Sequence, residues 1–181
     1  GENIYLARDR SASKRTVLVI DHYVPHYDKD AGGRSTYQYL LLMVELGYKV
    51  LFMGANFFPH QPYTEELQRK GIEVLVGEEF SRDVNSWFKD HASYLDVIYI
   101  HRPHVAEQFL DIIDELKPKP VVVYFGHDLH YLRTRREAAV SSSLKLQSEA
   151  NSWELREHSI FDRVDIIYYP SQVEIDEISS Q

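Results

Sequence analysis

Six short runs of β-branched and aromatic residues, separated by helical patterns, constrain the fold more than any other feature of this chain. They are TVLVID (16–21), KVLFMG (49–54), IEVLVG (72–77), DVIYIH (96–101), PVVVYFG (120–126) and DIIYYP (165–170). Most are apolar without a break, which suits strands buried on both faces of a parallel sheet. Within 34–47, Tyr37, Leu40, Leu41 and Val44 fall at i, i+3, i+4 and i+7, with Gly47 as a stop. Val105, Phe109, Ile112, Ile113 and Leu116 make the same stripe in 105–116. Weaker helical patterns cover 63–70, 82–91, 146–162 and 172–179, with Thr64 and Ser171 placed as N-caps ahead of acidic residues. The segment 136–148 has the least pattern and reads as a loop or a mobile helix start. This alternation predicts an α/β, Rossmann-like doubly wound domain. Its mainly parallel six-stranded sheet has the order 3-2-1-4-5-6, with helices on both faces.

A chain of 181 residues suffices for one domain with a real core. Residues 1–15 are expected to form a flexible leader or linker, and 16–181 the folded domain. A net charge of −8 argues against a nucleic-acid backbone as the main partner. No apolar run approaches the length of a membrane span, and the polar start GENIYLARDRSASKR is not a signal peptide. The lack of cysteine excludes disulfides and thiolate chemistry and fits a reducing cytoplasm. The end, SQVEIDEISSQ, reads like a helix cut short, so a fragment of a longer chain is expected.

In an open α/β sheet, ligands bind beyond the carboxyl ends of the strands, at the switch point between the first and fourth. Six of the nine histidines fall there: His22 and His26 after the first strand, His101 and His104 after the fourth, His127 and His130 after the fifth. Arg34, Arg102, Arg133, Asp28, Asp30 and Asp128 share those loops. A structural role alone would scatter histidines over both ends of the sheet, so the concentration points to a functional crevice. Two readings of Gly32-Gly33 stand side by side. The pair makes a tight turn into the helix, or it lets backbone amides and the helix N-terminus approach an anion such as phosphate.

AGGRST does not fit the dinucleotide fingerprint G-x-G-x-x-G, and there is no P-loop or G-x-S-x-G elbow. Asp28-Lys29-Asp30 could clasp a divalent cation, and HRPH (101–104) and HDLH (127–130) could supply zinc ligands. Hydrogen bonding to sugar hydroxyls or phosphates needs the same residue types without an ion, so no metal is expected. Tyr23, Tyr27, Phe57, Phe58, Tyr63, Tyr124 and Tyr131 lie near the crevice; each is read as a packing residue before a sugar-stacking one.

The first loop and the stretch after the fifth strand carry a resemblance. VLVIDHYVPHYDKDAGGRS and YFGHDLHYLRTRREA resemble the N-terminal domain of GT-B glycosyltransferases of family 4, of the kind found in bacterial O-antigen and surface-polysaccharide proteins. Asp21, Pro25, Asp28, Asp30, Ala31 and Gly32 match that group's loop, which usually reads D-x-x-x-P-x-x-D-x-D-A-G-S or similar, with Gly33 here in the last place. Asp128, Leu129, His130, Tyr131, Leu132 and Arg133 match its D-L-H-aromatic-L-R motif, and the resemblance runs over about 16–178. It implies a retaining sugar transferase whose donor-binding C-terminal domain, with its paired glutamates, is absent from this chain. It also implies cytoplasmic chemistry at the inner face of the membrane, with no cofactor and no metal. The substrates would be a nucleotide-sugar and a glycan or lipid-linked acceptor. By position, His127 and Asp128 share the catalytic, donor-sugar role. Gly32, Gly33 and Arg34 would meet the donor diphosphate. His22, His26, Arg102, His130 and Arg133 would line the acceptor side. Half of a sugar-nucleotide epimerase of GT-B architecture, and a non-catalytic glycan- or protein-binding module, remain as alternatives.

Overall fold

The computed structural model describes residues 14–180. Six strands form one sheet: β1 (Thr16–Asp21), β2 (Lys49–Gly54), β3 (Glu73–Leu75), β4 (Val97–His101), β5 (Val121–Phe125) and β6 (Ile166–Tyr168). The order is β3-β2-β1-β4-β5-β6 and every pairing is parallel, as expected. The eight α-helices of the described residues are α1 (Ala31–Glu45), α2 (Tyr63–Arg69), α3 (Glu78–Arg82), α4 (Val84–His91), α5 (Pro103–Asp114), α6 (His130–Ser141), α7 (Leu144–Phe161) and α8 (Gln172–Ser179).

Side chains alternate across the pleat, so the sheet divides the interior into two cores. Leu18, Ile20, Leu51, Met53, Ile98, Ile100, Val122 and Tyr124 face one side, against Phe88 of α4, Phe109 and Ile113 of α5, and Ile160 of α7. Val17, Val19, Val50, Phe52, Tyr99 and Phe125 face the other, against Leu40 of α1 and Leu67 of α2. All six residues of β1 are buried. Each fully buried Val, Leu or Ile contributes about 1.5–3 kcal/mol, which is why the central strands are apolar on both faces. The outermost strand departs from that pattern: Ile166 is 51% exposed, because β6 has a neighbour on one side only.

The helical expectations hold in outline and shift in detail. α1 begins three residues before the expected 34, because Asp30 takes the N-cap position and its carboxylate accepts from the Gly33 amide at 2.6 Å. Segment 82–91 is helical from Val84 as α4, capped by Asp83, which accepts from Ser86 N; the short α3 precedes it and ends at Arg82. Thr64 is not an N-cap: Pro62 holds that position, and the Thr64 hydroxyl bonds back to the His60 carbonyl inside the first turn. Ser171 does precede α8. Segment 136–148 is no loop; it lies across α6 and the start of α7, joined at Ser142 in the left-handed conformation. Of the leader expected over 1–15, only Lys14 and Arg15 lie within the described residues, and the Arg15 carbonyl already bonds to the Lys49 amide at the sheet margin. No helix of the described residues is long and apolar enough to cross a membrane.

Candidate functional site

The switch point between β1 and β4 is organised around one carboxylate. Asp21 ends β1 and is 3% exposed. Its Oδ1 accepts from the His22 amide and from Arg102 Nε, each at 2.7 Å; its Oδ2 accepts from the Thr36 hydroxyl at 2.8 Å. Burial pushes the Asp21 carboxyl up, but the charges of His101 and Arg102 and these hydrogen bonds together hold it down at about 2. Three elements therefore converge on Asp21: β1 itself, the inner face of α1 through Thr36, and the β4–α5 turn through Arg102.

His101, the last residue of β4, is fully buried beside it. Its Nδ1 lies 3.7 Å from Asp21 Oδ2 and 3.0 Å from His127 Nε2, at the end of β5. Burial pushes both imidazoles down to about 4, against the pull of Asp21, and the neighbouring Arg102 charge adds to the effect. Both are neutral at physiological pH. Arg102 and His127 also share an unusual backbone, with φ of +64° and +66°. A non-glycine residue held in the left-handed region stores about 1–3 kcal/mol of strain, and such residues concentrate at functional sites.

The glycine pair lies inside the first turn of α1, not in the loop before it. A Cβ on Gly33 would meet the backbone of His26 at 3.0 Å, so the loop 22–29 folds back over the helix start. A Cβ on Gly32 would meet the Arg102 guanidinium at 2.8 Å. The expected anion contact is therefore corrected in part. The Gly33 amide is engaged by Asp30, leaving the first-turn amides of Ala31 and Gly32, with Arg102 beside them. Arg34 bonds through Nε to the Tyr27 carbonyl at 3.3 Å. The carboxylates of Asp28 and Asp30 are used apart, Asp28 accepting from the Tyr63 hydroxyl at 2.7 Å, so the D-x-D pair does not act as one clasp.

Next to this centre, His22 Nδ1 meets His104 Nε2 at 2.7 Å. Burial, and then the His22 charge, push the His104 imidazole down. The His26 ring packs tilted at 4.4 Å from Tyr63 and edge-on at 4.8 Å from His60, and Tyr23 and Phe58 close the same aromatic group. His22, His26, Gly32, Gly33, Arg102 and His127 are thus neighbours, tied together through Asp21 and the loop 22–29.

Asp128, His130 and Arg133 form a separate flank. Asp128 and Arg133 pair with each other and line a groove between α6 and α8 with Ser171 and Glu174. His130 is turned inward, with Nδ1 at 3.2 Å from the buried Glu157 and its ring 4.4 Å from Trp153. Glu157, brought by α7, also accepts from the amides of His130 and Tyr131 at 3.0 Å, filling the N-terminus of α6. An acceptor-binding role for His130 must coexist with that internal bond.

Sequence reasoning gave no role to Thr36, His60 or Glu157, and no assigned site role to Asp21, His101 or His104. His101 and His104 were visible in HRPH as part of the crevice, and Asp21 as a motif match. Thr36 lies four residues after Gly32 on the buried face of α1, a spacing that could have flagged it. Ligand atoms of Asp21, His101 and His127 lie within 4.8 Å of one another, close enough to share a cation. The Arg102 guanidinium bonded to Asp21 opposes one, and the carboxylate already accepts three hydrogen bonds.

No family model matches the chain, and no curated protein matches it. Fold and site geometry carry the functional reading: a Rossmann-like α/β domain with a cluster of polar side chains at its switch point.

Proposed function

We propose that this chain is the N-terminal half of a retaining glycosyltransferase that moves a sugar from a nucleotide-sugar donor to a glycan or lipid-linked acceptor. The observation that carries the reading is the meeting of Asp21, Arg102, His101 and His127 beside the first turn of α1, at the β1/β4 switch point. A helix N-terminus with a guanidinium beside it suits a diphosphate leaving group, whose charge grows as the C1–O bond breaks. The Ala31 and Gly32 amides and Arg102 supply that stabilisation, and Arg102 thereby moves from the acceptor side to the donor side. His127, neutral and anchored from behind, positions the donor sugar. Asp128, paired with Arg133, supports the loop that carries it. The aromatic and imidazole group of Tyr23, His26, Phe58 and His60 offers faces on which an acceptor sugar stacks, with His22 and His104 at its border.

None of these steps calls for a metal, since Arg102 and backbone amides provide the positive charge. The partner domain in cis brings the rest of the donor site, so the chain alone turns over slowly at best. A nucleotide-sugar donor places the reaction in the cytoplasm, and a lipid-linked acceptor would bring it to the inner face of the membrane.

The test uses the protein encoded by the whole reading frame. Release of nucleoside diphosphate from a panel of nucleotide-sugars is followed with and without glycan acceptors. Acceptor-dependent release, reduced by about 100-fold or more in the Arg102→Ala/His127→Ala variant, is the expected result. Undiminished transfer by a folded double variant would remove the crevice from the mechanism. Interconversion of the free nucleotide-sugar without acceptor would assign an epimerase instead.

A further inference from the structure

His101 and His127 share one proton across the 3.0 Å between His101 Nδ1 and His127 Nε2. Which ring owns it decides what His127 offers the crevice. Three features place the proton on His101. Asp21 Oδ2 lies 3.7 Å from His101 Nδ1 and favours an N–H pointing its way. The Thr36 hydroxyl, 3.5 Å from the same nitrogen, already donates its proton to Asp21, so it turns a lone pair toward His101. The other nitrogen of His101, Nε2, is buried without a partner; a bare lone pair there is better tolerated than an orphaned N–H. The groups facing His101 are completed by the rings of Tyr99 and Phe125, which supply no competing acceptor for Nδ1.

With the proton on His101, His127 Nε2 accepts, so in a neutral ring the remaining proton sits on Nδ1. That atom has no partner among the described residues and is not among the buried unpartnered ones, so it meets solvent in the crevice.

We infer that His101 is a positioning residue: it holds His127 as the Nδ1–H tautomer and directs that N–H at a sugar hydroxyl or ring oxygen. The tautomer follows from the geometry alone; the sugar as its recipient rests on the glycosyltransferase reading. His127 then acts as a fixed neutral donor. It is not a base, because its only free nitrogen already carries a proton. Asp21 bonds Arg102 and lies 3.7 Å from His101 Nδ1, so one carboxylate orients the leaving-group cation and biases the sugar-facing donor together.

Long-range 15N–1H correlation spectra of this chain near pH 7, with His127 assigned by a His127→Gln variant, read the tautomer without any ligand. The expected spectrum shows His127 protonated on Nδ1. His101→Asn keeps a donor near the Nδ1 position and should preserve that pattern; His101→Leu should shift His127 toward the Nε2–H form. An Nε2–H His127 in the unsubstituted chain would overturn the assignment, whether or not the leucine variant folds. So would a His127 tautomer unchanged in a folded His101→Leu, or added Zn2+ displacing the shared proton at stoichiometric amounts. In the whole-reading-frame protein, transfer should fall about tenfold in His101→Leu and return to within about threefold in His101→Asn. The expected tautomer without any transfer would sink the glycosyltransferase reading and leave the assignment standing; the wrong tautomer with transfer intact would do the reverse.

Discussion

Adjacent glycines in the first turn of α1 have different reasons to lack a side chain, and the difference is measurable. At Gly33 the obstacle is backbone: a methyl group would sit 3.0–3.1 Å from the N, C and O atoms of His26. Gly33→Ala must displace the loop 22–29 and should cost about 1–3 kcal/mol in urea-induced unfolding. At Gly32 the obstacle is the tip of Arg102, which can swing aside. Gly32→Ala should therefore leave stability within about 0.5 kcal/mol of the unsubstituted chain while loosening the Arg102–Asp21 bond and weakening donor binding. Equal stability losses in the two variants would mean that Arg102 is held as rigidly as backbone. The sequence showed the pair and its two possible uses. It could not show that His26, seven residues upstream of Gly33, closes over it.

At the scale of elements, α6 explains both a missed prediction and a structural dependence. Its buried residues are Tyr131, Leu132, Thr134 and Ala138, a thin stripe among four arginine and glutamate neighbours, so local periodicity is weak. Its N-cap residue, Leu129, has no capping side chain. The cap comes instead from Glu157, 27 residues away from His130, which receives the amides of His130 and Tyr131 while fully buried. No local signal could announce it. Glu157→Ala would strand those amides and His130 in the interior and should destabilise the fold by about 3 kcal/mol, read as a lowered midpoint of thermal or denaturant unfolding. Glu157→Gln retains one acceptor oxygen and should lose less. If Glu157→Ala unfolds no earlier than the parent, α6 is capped some other way.

The whole molecule carries its buried imidazoles as an acid liability. His101 and His127 titrate near 4 in the folded chain against about 6.5 when unfolded, so between those values the unfolded chain binds more protons. Stability is then fully present above about pH 6.5 and is lost as the pH falls toward 4. For His101, wholly buried, the loss amounts to about 3 kcal/mol. His60 and His104 shift in the same direction, both chiefly through burial, and add to the slope. Asp21, held down at about 2, extends the decline below pH 3.8 as its carboxylate is neutralised. His101→Asn removes one titrating group, and the slope of unfolding free energy against pH should drop by up to about 1.4 kcal/mol per unit between 4 and 6.5. Denaturant titrations at a series of pH values test this; an unaltered slope would mean that His101 is protonated as readily folded as unfolded.

Strand identity, strand order and the placement of six histidines after β1, β4 and β5 were determined by the sequence itself. Apolar runs of β-branched residues alternating with 3.6-residue stripes have few ways to bury themselves, and the doubly wound sheet is one that buries all of them. Side-chain pairing was decided only by the tertiary structure. Asp21 meets Arg102 across 81 positions, His101 meets His127 across 26, and Glu157 reaches α6 from the following helix. Such contacts depend on distances of a few ångströms between chain segments far apart in sequence, and only packing sets those distances. Six of the histidines could be gathered at one end of the sheet by counting residues, but which one is anchored behind another, and which nitrogen it turns to the crevice, depends on where the folded strands stop.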